Sequence, residues 1–399
     1  MRPVLPEGRP SQAPSVGPLS GVRIVDFTRL LPGPYATRVL AELGAEVIKV
    51  EATPGGDYAR WWPPLAGDPP ISTAFRELNR GKKSVALDFR DRRAQAALRS
   101  LALTADVLIE GFRPGTMAKM GLDPAALMAE RPRLIYCSLT GFGLTGPDAE
   151  RAGHDVGYLA RAGALGITGP AAAPMVMGIQ VADVAGSWVA ISGIMAALLS
   201  RATTGRGGIV DVAMMEASLG FASLAFGALR GGERVVRGAE LLDGSRPCYS
   251  VYQTKDGRFL AVGALEPKFW EMFVRAIDLP HLVPCGLDTG ESGRAARAEV
   301  QARLNERTQA EWTALFRDVD CCVEPVLEMS EVEADAQLQA RSAFVDGYAA
   351  SPIRIQPTFD APIARAPLSE APALGQHTEE ILRSLEGHEI LFDPRPGQV

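Results

Sequence analysis

Apolar and polar positions in the first 140 residues alternate between two kinds of pattern. Short apolar runs, which have the length of buried strands, lie at 21–27, 45–51, 84–89, 106–110 and 134–139. Between these runs, apolar residues recur at the spacing of one helix face over 35–43, 92–103 and 124–130. Strands that alternate with helices predict an α/β fold whose parallel, Rossmann-like sheet is covered by helices on both faces.

The pattern changes character in the second half of the chain. An apolar segment at 184–199 predicts a core helix, because it is shorter than the roughly 20 residues that span a bilayer. A further strand at 208–213 and an apolar helix ending near 229 follow it. The turn at 255–257 then predicts a β-hairpin, and this smaller α+β unit has strand-like runs at 248–253, 258–263 and 322–327.

These patterns divide the chain into five segments. Residues 1–18, rich in Pro, Gly and Ser, predict a disordered lead-in without the apolar run of a signal peptide. The remaining segments are a large α/β domain at 19–229, a linker at 230–240, a small α+β domain at 241–335, and a return segment at 336–399 whose late helix, 378–385, is expected to pack on the large domain.

Composition narrows the class of protein. A chain of 399 residues, 47% hydrophobic and 22% charged, can bury a large core. Its net charge of −6 argues against a nucleic-acid partner. Five cysteines, an odd number at irregular spacing, favour a reducing compartment, and the adjacent Cys321 and Cys322 are expected to be buried. We therefore expect a soluble, cytoplasmic protein without a membrane partner.

Three acid–base residues lie in apolar, glycine-rich surroundings: His154, Asp183 and Glu266. Ionisable groups are uncommon in such settings unless function requires them. An imidazole and a carboxylate facing one cavity could move a proton from one side of a carbon to the other. Of the four histidines, His154 lies far along the chain from His377 and His388, which are expected to be exposed.

Each of these residues also has a purely structural interpretation. Asp183 directly precedes the apolar helix and could be its N-cap, His154 could be an ordinary core histidine, and Glu266 could begin a helix over 267–277. Their occurrence together favours catalysis. The segment 141–146 matches G-x-G-x-x-G, but no helix pattern follows at once, so it predicts a glycine turn lining a cleft rather than a dinucleotide site.

The chain resembles the family III CoA-transferases, which include both CoA-transferases and α-methylacyl-CoA racemases. The resemblance runs from about residue 18 to 385 and is carried by the segments 18–27, 43–51, 79–84 and 105–115. Gly153-His154-Asp155 with Tyr158, and the segment 263–267, resemble the racemase branch. Two features differ: Ala52 stands where a basic residue often contacts CoA, and the ending 375–383 resembles the transferases.

The resemblance implies a role for each matching residue. Asp183 would be the nucleophile of a transferase or one acid–base group of a racemase, His154 the other base, and Glu266 the carboxylate that orients His154. Contacts to CoA are implied for Leu87, Arg90, Gly111, Phe112, Arg113, Lys119, Asp155 and Tyr158. Arg90, Arg113 and Lys119 would meet phosphates. The family also implies an interlocked homodimer, and no cofactor or metal beyond the coenzyme A of the substrate.

The implied reaction is racemisation of a 2-methylacyl-CoA thioester through an enolate, with backbone N–H groups at the helix start near Asp183 holding the enolate oxygen. The alternative is transfer of CoA between carboxylic acids through a mixed anhydride at Asp183. A catalytically silent CoA-binding protein is disfavoured, because all three acid–base positions are filled.

Overall fold

Six parallel strands form the central sheet of the chain, which the computed structural model describes over residues 17–355 and 368–386. They are β1 (Arg23–Asp26), β2 (Glu46–Ala52), β3 (Lys82–Leu87), β4 (Val107–Glu110), β5 (Ile135–Thr140) and β6 (Gly208–Ala213). Their order across the sheet is β3-β2-β1-β4-β5-β6, which is that of doubly wound dinucleotide-binding folds. The predicted parallel α/β sheet is therefore confirmed.

The chain divides into two compact units. The first comprises Met1–Tyr158, Gln180–Ser218 and Ser342–Val399, and the second comprises Leu159–Ile179 and Leu219–Arg341. The second unit thus begins earlier along the chain than the small domain expected at 241–335. Three parts of the chain lie outside the described residues: residues 1–16, most of the proline-rich segment after 355, and His388. The expectations stated for them therefore stay predictions.

Helices are numbered along the chain. Those lying wholly or mainly in the first unit are α1 (Pro32–Glu42), α2 (Thr73–Asn79), α3 (Arg92–Thr104), α4 (Thr116–Lys119), α5 (Pro124–Glu130), α6 (Asp155–Arg161), α8 (Val181–Thr204), α9 (Met214–Ala217) and α16 (Thr378–Glu386). Those of the second unit are α7 (Ala164–Ile167), α10 (Ser223–Arg230), α11 (Pro267–Ala276), α12 (Glu291–Leu304), α13 (Gln309–Phe316), α14 (Met329–Val332) and α15 (Ala336–Ala340).

Both faces of the large sheet are buried along its four central strands, as expected for parallel strands, whereas the edge strand β6 exposes Ile209. One face packs against α3, α5 and α16, through a cluster that includes Val25, Ile48, Val85, Leu98, Leu101, Leu108, Leu127 and Ile381. The alternate strand positions, such as Ile24 and Val47, are also fully buried. On the sheet, α1 packs against β1 and β2, and α8 packs against β5 and β6 as well as against α1.

Local sequence explains where α1 begins and where α8 ends. Pro32 occupies the first turn of α1, where its missing N–H costs nothing, so the helix starts three residues before the predicted 35–43. The apolar segment predicted at 184–199 extends to 24 residues in α8, which ends at Gly205 with φ +72°. By length and composition alone, α8 could span a membrane, so the expectation that this segment is too short was wrong.

The second unit has its own core around a three-stranded antiparallel sheet. Its strands are β7 (Tyr249–Gln253), β8 (Phe259–Gly263) and β9 (Val323–Pro325), with β8 in the centre. The predicted hairpin at 255–257 is therefore confirmed. Trp270, Phe273, Trp312 and Phe316 fill the core beneath. Residues 230–240, predicted as a linker, belong to this unit, where Arg237 donates to the carbonyls of Gly166, Pro170 and Ala171.

Three local expectations need correction. Cys321 is buried, but Cys322 is exposed and has a left-handed φ of 59°, so the pair is not joint core packing. His377 is only partly exposed, because its Nδ1 accepts a hydrogen bond from the Ser84 N–H at 3.1 Å. The helix expected to run to 229 is broken into α9, a 3₁₀ turn (Ser218–Ala222) and α10.

Two adjacent glycines give a matched test of sheet packing. A Cβ at Gly207 would lie 1.9 Å from the Leu134 carbonyl oxygen, whereas a Cβ at Gly208 would meet no atom within 4 Å. Gly207→Ala should therefore lower the free energy of unfolding by about 1–3 kcal/mol or more, while Gly208→Ala should change it by less than about 0.5 kcal/mol. Urea unfolding of both variants measures this, and equal losses would contradict it.

Candidate functional site

A cavity of about 290 Å³ opens in the first unit at the carboxyl ends of the parallel strands. The segments after β1 and β4, where the strand order reverses, both contribute to its wall, and ligands of doubly wound sheets bind at this position. The residues that line the cavity include Thr28, Arg29, Leu30, Tyr58, Gly111, Phe112, Arg113, Gly141, Arg151, Gly153, His154, Tyr158 and Asp183.

The cavity brings together His154 and Asp183, two of the three predicted acid–base residues. His154 lies directly before α6, and its carbonyl accepts the N–H of Tyr158 at 3.2 Å. Its side chain is exposed, so the interpretation as a core histidine was wrong. Asp183 is the third residue of α8 and half-buried, while Gln180 is the N-cap, so the N-cap interpretation of Asp183 was also wrong.

Asp155 performs the capping that Gln180 does not. One of its carboxylate oxygens, Oδ1, accepts the N–H of Ala182 at 2.6 Å and the N–H of Asp183 at 3.1 Å. A carboxylate at this end of a helix is favoured by the free N–H groups and by the helix dipole. These two amides are therefore already bonded, so an enolate oxygen at this helix start would need a different donor.

The electrostatics of the site favour a protonatable carboxyl group. Burial is the main cause that raises the pKa of Asp183 to about 6, the negative charge of Asp155 adds to it, and His154 opposes it. Burial, with Asp183 and Asp155, also raises the pKa of Tyr158 to about 12. Tyr158 is therefore a hydrogen-bond donor throughout the neutral range, and Asp183 can change its protonation state close to neutral pH.

Two glycines hold the ring of Tyr158. A Cβ at either Gly141 or Gly153 would come within 2.5 Å of the tyrosine ring, so only glycine allows this approach. Phe142 packs edge-on against the same ring, with centroids 5.3 Å apart. Gly141 lines the cavity, which confirms the predicted glycine turn beside a cleft, and the next helix begins only at Asp155.

Half of the predicted CoA-contacting residues line this cavity. Gly111, Phe112, Arg113 and Tyr158 do so, whereas in the described part of the chain Leu87, Arg90, Lys119 and Asp155 are not part of its wall. The exposed guanidinium of Arg90 makes two bonds of 2.9 Å to the Asp88 carboxylate. Leu87 ends β3 and packs on the core, and Lys119 ends α4 at the surface. The CoA-binding roles of these residues remain predictions.

Glu266 belongs to the second unit. It is the N-cap residue of α11, which starts at Pro267 as predicted, but its exposed side chain makes no capping hydrogen bond. The structural interpretation therefore explains its position but gives the carboxylate no capping role. Its proposed action on His154 remains a prediction.

Sequence reasoning missed Arg29, Tyr58 and Arg151, which also line the cavity. The Arg29 guanidinium lies 5.3 Å from the Tyr58 ring centroid and 5.0 Å from that of Phe112, within cation–π range. A signal existed for Arg29, because it closely follows β1 and the carboxyl ends of parallel strands carry the sites of such folds. No local signal marked Tyr58.

The raised pKa of Asp183 predicts a stability change with pH. The ordinary value is 3.8 and the folded value about 6, so the folded protein keeps a proton that the unfolded chain releases. The free energy of unfolding should therefore fall as pH rises from about 4 to about 6. Asp183→Asn should lose this contribution and be more stable than wild type at about pH 7.5. Urea unfolding across this range measures both, and identical pH slopes would contradict the shift.

Comparison with known proteins identifies the family. A family model described as CoA-transferase family III matches residues 19–378. The α-methylacyl-CoA racemase of Homo sapiens is 36% identical over 377 residues, covering 91% of this chain and 92% of the relative. The succinyl-CoA:glutarate CoA-transferase of Mus musculus is 34% identical over 390 residues, covering 95% and 89%. A crystal structure of a CAIB/BAIF family protein from Brucella suis matches with a TM-score of 0.80 at 31% identity, covering 92% of this chain and 99% of the other. The chain therefore belongs to CoA-transferase family III.

Proposed function

We propose that the protein racemises 2-methylacyl-CoA thioesters by two-base proton transfer. The observation that carries the proposal is that His154 and Asp183 line one cavity. Family membership supports an acyl-CoA substrate, and the 36% identity to a racemase supports the reaction type.

The proposed chemistry uses the acidity of the hydrogen next to the thioester carbonyl. One base removes this hydrogen to give an enolate, and the other base returns a proton to the opposite face of the carbon. A carboxyl group with a pKa of about 6 holds its proton about as tightly as an ordinary imidazole, near 6.5. Asp183 is thus suited to exchange roles with a histidine in a reversible reaction.

The enolate oxygen requires a donor other than the amides of Ala182 and Asp183, which Asp155 occupies. Tyr158 lines the cavity and stays protonated at neutral pH, since its pKa is raised to about 12. We therefore propose its hydroxyl as a donor to the enolate.

CoA transfer between carboxylic acids is the second candidate, supported by the 34% identity to a CoA-transferase and by the three arginines of the cavity wall, Arg29, Arg113 and Arg151. An Asp183 oxygen would attack the acyl carbon of the thioester and the C–S bond would break. CoA thiolate would be released, and Asp183 would carry a mixed anhydride. The thiolate would then attack the aspartyl carbonyl and release the donor acid. The acceptor carboxylate would next attack the aspartyl thioester, whose C–S bond would break to give a second mixed anhydride and free CoA thiolate. The thiolate would finally attack the acyl carbon of the acceptor, break the anhydride C–O bond and restore the Asp183 carboxylate.

Substitutions of the two bases separate these functions. In a racemase, His154→Ala should slow α-hydrogen exchange with D₂O about 10²–10⁴-fold, and more for one enantiomer of a 2-methylacyl-CoA than for the other. Asp183→Ala should show the opposite enantiomer bias, because each base serves one face. Glu266→Gln should cause a milder loss. Exchange is measured by mass spectrometry of the recovered thioester.

The same incubations with a free acid present test the alternative. In a transferase, Asp183→Ala should abolish CoA transfer, and hydroxylamine should trap an acylated Asp183 in the wild type. Trapping at Asp183 without deuterium at the α-carbon would rule out the racemase.

Two arginines provide a matched test of CoA binding. Arg113→Ala should weaken CoA binding by about 1–3 kcal/mol if its guanidinium meets a phosphate. Arg90→Ala should weaken binding less, because Arg90 is already bonded to Asp88 through two hydrogen bonds. Calorimetric titration with CoA measures both. A larger loss for Arg90→Ala would mean that Arg90 leaves Asp88 for the nucleotide.

A further inference from the structure

We infer that Asp57 is a positioning residue for the acyl-CoA cavity, holding two segments of its wall so that Arg29 is presented to an oxyanion of the ligand. The inference rests on the proposed binding of acyl-CoA in this cavity but not on which reaction follows. Neither Asp57 nor its buried partner Lys49 lines the cavity in the described part of the chain.

One carboxylate group joins the two wall segments. The Oδ1 atom of Asp57 accepts the N–H of Leu30 at 3.0 Å and the N–H of Ala59 at 3.0 Å. Leu30 belongs to the wall segment that follows β1, and Ala59 lies in the 3₁₀ turn Tyr58–Trp61, whose first residue also lines the cavity. Loss of the carboxylate would release both segments at once.

Lys49 fixes the other end of the first segment. Its Nζ lies 2.9 Å from Asp57 Oδ2 and donates to the Thr28 carbonyl at 2.9 Å. Both charged side chains are almost fully buried, at 0% and 1% exposure. Burial acts to lower the pKa of Lys49, but Asp57, Asp26 and Glu51 raise it above its ordinary value. Lys49 therefore stays charged, and the residues Thr28–Leu30 are held at both ends by one ion pair.

The held segment would not keep this shape unaided. Leu30 has φ +67°, a left-handed conformation that is strained for a residue with a side chain. Such conformations persist when the surroundings over-determine them, and they are common at ligand sites. A buried ion pair contributes little net stability, so its effect here is to fix geometry.

The geometry restricts Arg29, the middle residue of the segment. Its guanidinium lies over the rings of both Tyr58 and Phe112, at 5.3 and 5.0 Å from their centroids. Asp57 accepts the N–H groups of Leu30 and Ala59, so it fixes the backbone next to Arg29 and next to Tyr58. A restricted cation loses less freedom when it binds an anion, and the matching anion is an oxyanion: a phosphate of CoA or the carboxylate of a free acid.

The experiment is a double-mutant cycle on CoA binding by the full chain, with Asp57→Asn, Arg29→Ala and both together. Each single variant should raise the Kd for CoA about tenfold, and the double variant should raise it little further, because both remove the same interaction. KM for the acyl-CoA should rise with Kd while kcat stays within about twofold. A matched control is Asp106→Asn, since Asp106 also forms an ion pair, here with Arg201, but lies at the amino end of β4. It should leave Kd unchanged.

Additive effects of Asp57→Asn and Arg29→Ala, a Kd unchanged for both CoA and succinate, or a loss confined to kcat would overturn the inference. Failure of the wild type to bind CoA would instead overturn the proposed function. A parallel titration with succinate identifies the oxyanion, because only a carboxylate site would lose succinate binding in Arg29→Ala.

If Asp57→Asn does not fold, Leu30→Gly replaces it. Glycine adopts a positive φ freely, so this variant keeps the ion pair but loosens the wall segment. It should raise the Kd for CoA or for succinate about threefold, and a Kd unchanged for both would overturn the inference.

Discussion

A cluster of buried charges beneath the carboxyl edge of the sheet is the constraint on which the rest of the first unit depends. β1 contributes Asp26, β2 contributes Lys49 and Glu51, and β3 contributes Lys82, all at most 3% exposed. Single buried charges are very costly, so each must be matched by opposite charge and hydrogen bonds. Lys82 contacts Asp26 at 3.4 Å, and two bonds of 2.7 and 2.8 Å join Glu51 to Arg60. Lys82 of β3 is thereby joined to Asp26 of β1 across β2, and Glu51 of β2 is joined to the 3₁₀ turn that carries Tyr58 of the cavity wall.

The catalytic side of the cavity depends on a different interaction, between residues far apart in the chain. Asp155 bonds the first turn of α8, so the segment that carries His154 is tied to the helix that carries Asp183. Burial is the main cause that raises the pKa of Asp183 and of Tyr158, and the same carboxylate adds to both shifts. One side chain therefore fixes the position of its neighbours and contributes to their pKa values, which local sequence around either residue does not reveal.

The fold could be predicted from sequence because its signals are local. Alternating strand and helix patterns gave the parallel sheet, and the turn at 255–257 gave the hairpin. The start of α8 was missed because Gln180 is not a typical N-cap and the true cap, Asp155, is separated from it along the chain. At the site, residue types indicated His154 and Asp183, whereas Arg29 depends on a left-handed Leu30 and on a buried ion pair formed by tertiary contacts.

The buried position of Lys82 affects the heat of unfolding that calorimetry measures. Burial lowers its pKa from 10.5 to about 7, although Asp26 opposes the change. At about pH 8.5 the unfolded chain carries a proton on this lysine that the folded protein largely lacks, so unfolding takes up a proton from the buffer. The measured heat of unfolding then includes the heat of ionisation of the buffer. The same protein would give different unfolding enthalpies in buffers with small and large ionisation enthalpies. The size of the difference would give the number of protons taken up on unfolding.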